Sequence, residues 1–351
     1  MKRIIFLVLS FCLSMSTSHA CTIWGAIKSN EILIAKNRDF YPGNQEFRVV
    51  QAQHKYAFFG LYGDNEYDKH YKLKMGVNEK GLVVFMTFAS TIPDAQRHVK
   101  ISYDQVMEKI LQDYQDIDSI YKNKEKLFHD STPINYVFSD RNKAMICEIG
   151  LENHYQCQLY TREKNKIVTF VQTNHYILNH LVQYNITPII NQQTSYRRLI
   201  RINALMKNNI KHLDFQHWVD FSLNMEATND DPVTPFDTGY NNTYQDNSIF
   251  RTFNSHPDRK EHKHKNSDQN VSNMIVELPK DKTSPIKLYL RIIDKITDLK
   301  GEQDAQNIQY TMAITTLETA IQHSDNINYQ KKTCVRNKTS IQCTNLENLS
   351  G

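Results

Sequence analysis

Cys21 is the residue whose type and position could best support covalent chemistry. A thiol is a strong nucleophile as its thiolate, and an unperturbed cysteine has a pKa of about 8.5. If Cys21 is the first residue of a processed chain, its own α-amino group, with a pKa of about 7.7–8.0, becomes available as the proton acceptor. One residue then carries both nucleophile and base, without a histidine partner. This combination predicts attack on an acyl carbon such as that of an amide.

The twenty residues before Cys21 have the layout of a secretory signal peptide. A positive start is followed by an almost unbroken apolar run at 4–15 and a small, polar stretch at 16–20. That apolar run is shorter than the roughly 20 residues that span a bilayer. Small residues at Ser18 and Ala20 favour cleavage just before Cys21. We therefore expect export to the periplasm or beyond the cell.

Two alternatives to cleavage remain open. One is that the apolar segment is kept as an anchor, which its length disfavours. The other is that Cys21 is lipidated as in lipoproteins, although Ser18 stands where such signals usually have a leucine-like residue.

Cysteine use fits an oxidising compartment, where neighbouring thiols tend to pair. Of six cysteines, one leaves with the leader and five remain. Cys147 and Cys157 could bridge neighbouring strands, and Cys334 and Cys343 could close a small loop, although sequence does not establish connectivity. Under this most local pairing, Cys21 keeps a free thiol.

Net charge and hydropathy give no support to binding of nucleic acid or to a membrane span. Loss of Lys2 and Arg3 with the leader lowers the formal charge from +4 to +2, with 40 basic against 38 acidic residues. That bias is too small to predict binding to nucleic acid or to an anionic membrane surface. No later stretch is long and apolar enough to span a membrane. A small-molecule partner is expected; the oligomeric state is unknown, and a homo-oligomer is possible.

A polar insert at 254–270 contains three histidines that invite a metal-site interpretation. They are His256, His262 and His264. No other ligand-type residues surround them at a recognisable spacing, so we expect a solvated loop and no metal. The proposed chemistry also needs no cofactor.

Periodicity predicts antiparallel sheets covered by helices. One hairpin is expected from 22–28 and 32–39 around Ser29-Asn30, and another from 73–77 and 82–88. Further strands are expected at 134–138, 143–149, 154–161, 166–173, 271–278 and 286–292. Helices are expected at 104–128, 195–207, 214–225 and 303–322.

The first hairpin suggests neighbours for Cys21. With the turn centred on Ser29-Asn30, paired residue numbers sum to 59, so Cys21 lies opposite Arg38. Asn37 and Asp39 flank that position, and the Asp39 carboxylate could hold a protonated amine. The alternative is that residues 37–39 merely form a polar strand end.

These residues resemble the start of the choloylglycine hydrolase and penicillin V acylase superfamily. The closer resemblance is to its acyl-coenzyme A:isopenicillin N acyltransferase-like branch. The matching segments, in order, are Cys21-Thr22, 36–40, the G-x-N-E-x-G-L hairpin at 76–82, the T-N-H strand end at 173–175, the S-x-x-R-x-x-R helix start at 195–201, and strands at 274–279 and 286–292. The resemblance covers residue 21 to about 293.

The resemblance implies the four-layer αββα sandwich of N-terminal-nucleophile hydrolases, an α+β fold. It implies that Cys21 is nucleophile and base, that Asp39 orients the amine, that Asn174 supplies a side-chain N–H to the oxyanion, and that Arg198 braces the site. Without the resemblance, Asn174 would be interpreted as a turn former and Arg198 as a surface residue.

Three residues, Lys36, Asn37 and Thr87, are candidates for supporting roles. Lys36 stands where the bile-salt branch has arginine, and Thr87 lies near the position of its second oxyanion asparagine. These departures argue against a bile-salt substrate. They leave the second oxyanion donor open, a backbone N–H near Thr87 or Phe88 being one possibility.

The sequence thus predicts a leader at 1–20, one amidohydrolase domain at 21–325 and a polar tail at 326–351. The expected reaction is hydrolysis of linear amides of N-acyl compounds through an acyl-thioester. Transfer of the acyl group to an amine is the first alternative. A lipid-anchored or secreted binding protein without catalytic activity is the second.

Overall fold

Alternating apolar residues form two antiparallel sheets that lie face to face. The computed structural model describes residues 21–40, 44–63, 71–93, 96–97, 101–187, 189–210, 213–222, 269–298, 306–336 and 341–345. Within these ranges the strands are β1 (Cys21–Ile27), β2 (Glu31–Phe40), β3 (Gln45–Val50), β4 (Phe58–Gly63), β5 (Lys72–Asn78), β6 (Val83–Phe88), β7 (Ile134–Ser139), β8 (Lys143–Ile149), β9 (Tyr155–Thr161), β10 (Val168–Gln172), β11 (Gln269–Pro279), β12 (Lys287–Asp298), β13 (Gln306–Thr316), β14 (Gln330–Arg336) and β15 (Ile341–Asn345).

The two sheets differ in how the chain builds them. The seven-stranded sheet follows chain order from β3 to β9. The eight-stranded sheet has the order β10-β1-β2-β11-β12-β13-β14-β15, so that β1 and β2 lie between strands from the middle and end of the chain. This order brings residues distant in sequence to the start of β1.

Helices cover the outer faces of both sheets. They are α1 (Tyr103–Asp113), α2 (Ile117–Lys122), α3 (Lys124–Phe128), α4 (Ile189–Asn208) and α5 (Phe215–Ser222). A further helix, α6 (Leu317–Gln322), instead packs Leu317 and Ala320 into the core between the sheets. Val106 and Ile110 of α1 pack on the outer face of the seven-stranded sheet. Ile202 of α4 and Trp218 of α5 pack on the outer face of the eight-stranded sheet. The layers therefore run helix, sheet, sheet, helix, which confirms the predicted αββα sandwich.

Both faces of β1 are buried, which explains its continuous apolar sequence. Ile23 and Ile27 enter the core between the two sheets. Trp24 and Ala26 alternate to the other face and pack with the α4–α5 layer. Cys21 has the same strand parity as Ile23, so its side chain belongs to the face between the sheets.

The two predicted hairpins are confirmed by the strand pairing. β1 pairs with β2 in the expected register, with Cys21 opposite Arg38. β5 pairs with β6 across the predicted second turn.

Two predicted helices are wrong as drawn. The helix expected at 104–128 is three helices, because Tyr114 is extended (φ −116, ψ 144) and the Asp116 carboxylate caps a new start by accepting from Ser119 N. The helix expected at 303–322 is mostly strand β13, with α6 only at its end. β13 pairs with β12 along its length, and that pairing outweighs the helical periodicity.

The sequence predicted a leader, a polar insert and a polar tail. Residues 1–20 and 254–268 lie outside the described residues, while 269–270 begin β11. The segment expected as a polar tail contributes β14 and β15 to one edge of the eight-stranded sheet. Among the described helices, none has the length and apolar character that crossing a bilayer requires.

The cysteine positions follow the strand register. Cys147 lies opposite Cys157 in β8 and β9, and the two are joined as a disulfide. Cys334 lies opposite Cys343 in the pairing of β14 with β15.

Candidate active site

Cys21 begins β1 and is the centre of the candidate site. Its side chain is 3% exposed, and its thiol is free. Strand alternation places it on the face between the two sheets, at one end of their shared core. The nucleophile predicted from sequence is thus held in a shielded environment.

Two residues far along the chain hold the backbone of Cys21. The Cys21 nitrogen donates to Asn174 Oδ1 at 2.7 Å, across 153 residues of sequence. Arg198 Nη1 donates to the Cys21 carbonyl oxygen, and also to Thr22 Oγ1 at 2.7 Å. Arg198 Nη2 donates to Asn174 Oδ1 at 3.0 Å. Cys21, Asn174 and Arg198 therefore form one hydrogen-bonded group.

These contacts determine the orientation of the Asn174 amide. Its oxygen accepts from two donors, Cys21 N and Arg198 Nη2, so its nitrogen must face the other way. There Nδ2 donates one hydrogen to the carbonyl oxygen of Phe88 at 3.0 Å. The second N–H bonds to no protein acceptor among the described residues. That N–H is the group available for the oxyanion role predicted from sequence, which stays a prediction.

Lys36 places a buried amine on the same face of β2 as Arg38. It is fully buried, and its Nζ donates to the Lys74 carbonyl oxygen at 2.7 Å and lies 3.7 Å from Met86 Sδ. Burial lowers the pKa of Lys36 to about 8; the charge at Cys21 acts to raise this pKa, and Arg38 to lower it. A positive charge that can be lost at mildly alkaline pH thus interacts electrostatically with Cys21.

Asn37 and Asp39 occupy the alternate face of β2. Asn37 Nδ2 donates to the Ser222 carbonyl oxygen of α5 at 2.9 Å, and Asn37 Oδ1 accepts from Asn273 Nδ2 at 2.7 Å. Asn37 therefore ties β2 to the helical layer and to β11. Asp39 is also fully buried, and its charge raises the pKa of Lys36. Its predicted role in orienting the amine stays a prediction.

Thr87 supports the strand end that carries Asn174. Its hydroxyl donates to the Thr173 carbonyl oxygen at 2.6 Å. Asn135 Nδ2 donates to both Thr87 Oγ1 and the Thr173 carbonyl oxygen, at 3.2 Å each. The Thr87 hydroxyl hydrogen is therefore used within the protein, which argues against this hydroxyl as a second oxyanion donor.

Glu148 of β8 braces the chain after Asn174 from the opposite sheet. Its carboxylate accepts from Ile177 N at 2.7 Å, from Leu178 N at 3.0 Å and from Gln172 Nε2 at 3.2 Å. Burial raises the pKa of Glu148 to about 7, against the effect of these three donors. Glu148 was not predicted from the sequence, because a single glutamate in a strand gives no local signal.

The chain matches one known protein family and is similar to two solved structures. A profile of the acyl-coenzyme A:6-aminopenicillanic acid acyl-transferase family matches residues 27–250, more than half of the chain. A comparison with curated proteins finds no match. Among solved structures, the chain is similar to two variants of conjugated bile acid hydrolase from Clostridium perfringens, each 13% identical. One match covers 92% of this chain and 99% of the hydrolase with a TM-score of 0.46, and the other covers 93% and 100% with a TM-score of 0.48.

Proposed function

Because the chain belongs to the acyl-coenzyme A:6-aminopenicillanic acid acyl-transferase family, we propose that it is an exported N-terminal-cysteine enzyme that hydrolyses linear amides of N-acyl compounds. One observation carries the proposal. The Cys21 nitrogen lies 2.7 Å from Asn174 Oδ1, beside a free, buried thiol. The family match begins after Cys21, so the role of this residue rests on that geometry.

Processing before Cys21 would supply the base. A peptide nitrogen has no useful basicity, whereas an α-amine has a pKa of about 7.7–8.0. The Asn174 oxygen accepts from this nitrogen and would hold the amine by one N–H, as it holds the peptide nitrogen in the structure. The lone pair of the amine would then accept the thiol proton.

The proposed reaction has two steps, acylation of Cys21 and hydrolysis of the acyl-thioester, and each conserves atoms and charge. The Cys21 thiolate adds to the amide carbonyl, and the second Asn174 N–H donates to the oxygen that becomes negative. The ammonium of Cys21 protonates the departing amine as the C–N bond breaks, which leaves an acyl-thioester. Water then attacks the thioester and gives one proton to the Cys21 amine. As the C–S bond breaks, the sulfur takes that proton back from the ammonium, which releases the acid and restores the thiol and the free amine.

Acyl transfer is the second candidate function, and the family's name favours it. An acceptor amine would replace water in the second step. Product analysis with and without acceptor amines separates the two reactions. Formation of a transfer product without any free acid would decide for the acyltransferase.

Export is part of the proposal because the amine must be generated by processing. The leader layout at 1–20 supports it, as does the cross-strand disulfide of Cys147 with Cys157. Lipidation of Cys21 would instead block the amine and would support a lipid-anchored binding protein. The intact mass of the exported protein distinguishes a free cysteine terminus from a lipidated one.

The function is tested on protein purified from an exporting host. The substrate panel contains N-acyl amino acids, acyl-homoserine lactones, penicillin V and conjugated bile acids, with mass-spectrometric trapping of an acyl adduct on Cys21. Cys21→Ala should lose turnover and the adduct while remaining folded. A matched variant that keeps one extra residue before Cys21 after processing should also be inactive, because the Cys21 nitrogen remains an amide. Normal turnover by Cys21→Ala would refute the mechanism.

A further inference from the structure

Three buried polar residues next to Asn174 have no part in the steps above. Thr173 and His175 flank Asn174, and Ser195 lies on α4. Their exposed fractions are 0%, 1% and 3%. Buried polar groups are costly unless they are hydrogen-bonded, so their contacts need an account.

The three side chains form a closed hydrogen-bonded triangle. Ser195 Oγ lies 3.0 Å from Thr173 Oγ1 and 2.8 Å from His175 Nδ1. Thr173 Oγ1 lies 3.1 Å from His175 Nδ1. The triangle connects to the backbone at two points: Asn174 N donates to Ser195 Oγ at 2.8 Å, and Thr173 Oγ1 donates to the Ser195 carbonyl oxygen at 3.1 Å.

Counting hydrogens assigns the donors in this triangle. The Thr173 hydroxyl hydrogen goes to the Ser195 carbonyl oxygen, and the Ser195 hydroxyl hydrogen goes to Thr173 Oγ1. With the hydroxyl hydrogens placed there, and with no partner for His175 Nε2 among the described residues, the hydrogen of the neutral ring belongs on Nδ1, which donates to Ser195 Oγ. Ser195 Oγ then accepts from Asn174 N and from His175 Nδ1, which uses its full bonding capacity.

His175 acts here as a neutral donor and not as a base. Burial, and next the charge of Arg198, lower its pKa to about 3. The ring therefore carries no charge at any pH near neutrality. His175 Nε2 is buried and has no partner among the residues that the structure describes, as suits a nitrogen that carries no hydrogen.

Helix α4 holds Asn174 at two points through residues one turn apart. Ser195 accepts from the Asn174 main chain, and Arg198 donates to the Asn174 side-chain oxygen. Residues three apart on a helix share a face, so both contacts come from the same side. Displacement of the Asn174 main chain would move the oxygen that holds the Cys21 nitrogen.

We propose that Ser195 and His175, completed by Thr173, are positioning residues that hold Asn174, and through it the Cys21 nitrogen, in the reactive arrangement. The inference rests on the proposed function, since it concerns the geometry of that reaction. A misplacement of about 1 Å at a reacting group costs roughly 10²-fold in rate. The effect should therefore appear in kcat more than in KM.

A matched pair of variants at His175 tests the proposal. His175→Leu keeps the volume but removes the donor, whereas His175→Asn keeps an amide N–H near the position of Nδ1. We expect His175→Leu to lower kcat by about 10- to 100-fold with KM nearly unchanged, and His175→Asn to recover most of the loss. Ser195→Ala, which removes the acceptor for Asn174 N, should match His175→Leu. Thermal unfolding of each variant shows whether the fold is kept.

A second measurement separates this proposal from the proposed function. The alkylation rate of Cys21 by iodoacetamide as a function of pH needs no substrate, and its apparent pKa should shift in His175→Leu but not in His175→Asn. If the apparent pKa of alkylation shifts in His175→Leu but the wild-type protein turns over no substrate, the positioning role is kept and the proposed function is refuted. Unchanged kcat and an unchanged alkylation profile in folded His175→Leu would overturn the positioning role. An equal loss in both His175 variants would overturn it too.

Discussion

At the scale of single residues, the charge of Lys36 offers a test that depends on pH. Burial lowers its pKa from 10.5 to about 8, so the charge beside Cys21 is lost as the pH rises through 8. We expect kcat/KM to decline on this alkaline side. Lys36→Arg should keep its charge and extend activity to higher pH. Lys36→Met should lower activity by about tenfold below pH 8, where wild type carries the charge, and the difference should shrink above pH 8. The pH profile of kcat/KM measures this.

The lowered pKa of Lys36 also makes the free energy of unfolding depend on pH, and the direction of the pKa shift determines the sign of that dependence. Between pH 8 and 10.5 the unfolded chain binds more protons at this residue than the folded protein does. The free energy of unfolding should therefore gain about 3 kcal/mol from this group across that window, a rise absent in Lys36→Met. Lys109→Met, at an exposed lysine of α1, is the control. If the free energy of unfolding depends on pH equally in wild type and in Lys36→Met, the lowered pKa of the buried Lys36 is contradicted.

At the scale of elements, the pairing of β1 with β10 depends on a glycine. Gly25 lies opposite Phe170, and a Cβ at position 25 would meet the Phe170 ring at 2.1 Å. Phe170 is buried in the core between the sheets, so its ring has little room to move. Gly25→Ala should lower the free energy of unfolding by about 1–3 kcal/mol, measured by urea unfolding.

Two further variants make the glycine prediction specific. Gly63→Ala is the matched control, since a Cβ there meets its nearest neighbours at 3.5 Å, an ordinary contact. The double variant Gly25→Ala, Phe170→Leu should recover part of the loss, because the smaller side chain relieves the clash. Full stability of Gly25→Ala alone would show that the strands adjust without cost.

At the scale of the whole molecule, the last two strands protect an edge of the eight-stranded sheet. β14 pairs with β13 along residues 306–312, where Tyr310 is buried. Ile327, just before β14, belongs to the core between the sheets. Truncation after residue 325 would remove all of these contacts and expose the edge of β13. We expect a fall in Tm of at least about 4 °C and aggregation on heating.

The matched truncation removes only residues 346–351, which follow β15, and should leave Tm unchanged. Light scattering during the thermal scan detects the aggregation. A chain ending at residue 325 with the Tm and solubility of the longer chain would mean that β14 and β15 add nothing to the sheet.

The sequence by itself determined the hairpins and their register, which depend on strand alternation and turn chemistry. The alternation of apolar residues and the Ser29-Asn30 turn predicted the β1–β2 register that sets Cys21 opposite Arg38. The second hairpin, β5 with β6, followed from the same rules. Turn chemistry and strand alternation act over a few residues, so they can be inferred without knowing the rest of the chain.

Only the tertiary structure decided how the distant parts meet. Long-range pairing made 306–316 a strand where periodicity predicted a helix. Contacts across more than 150 residues brought Asn174 and Arg198 to Cys21 and determined which atom of the Asn174 amide faces its nitrogen. The Ser195 triangle and the Glu148 brace likewise have no local signal. Hydrogen-bond directions and buried charges depend on which groups the packed fold brings together, and sequence spacing does not specify that.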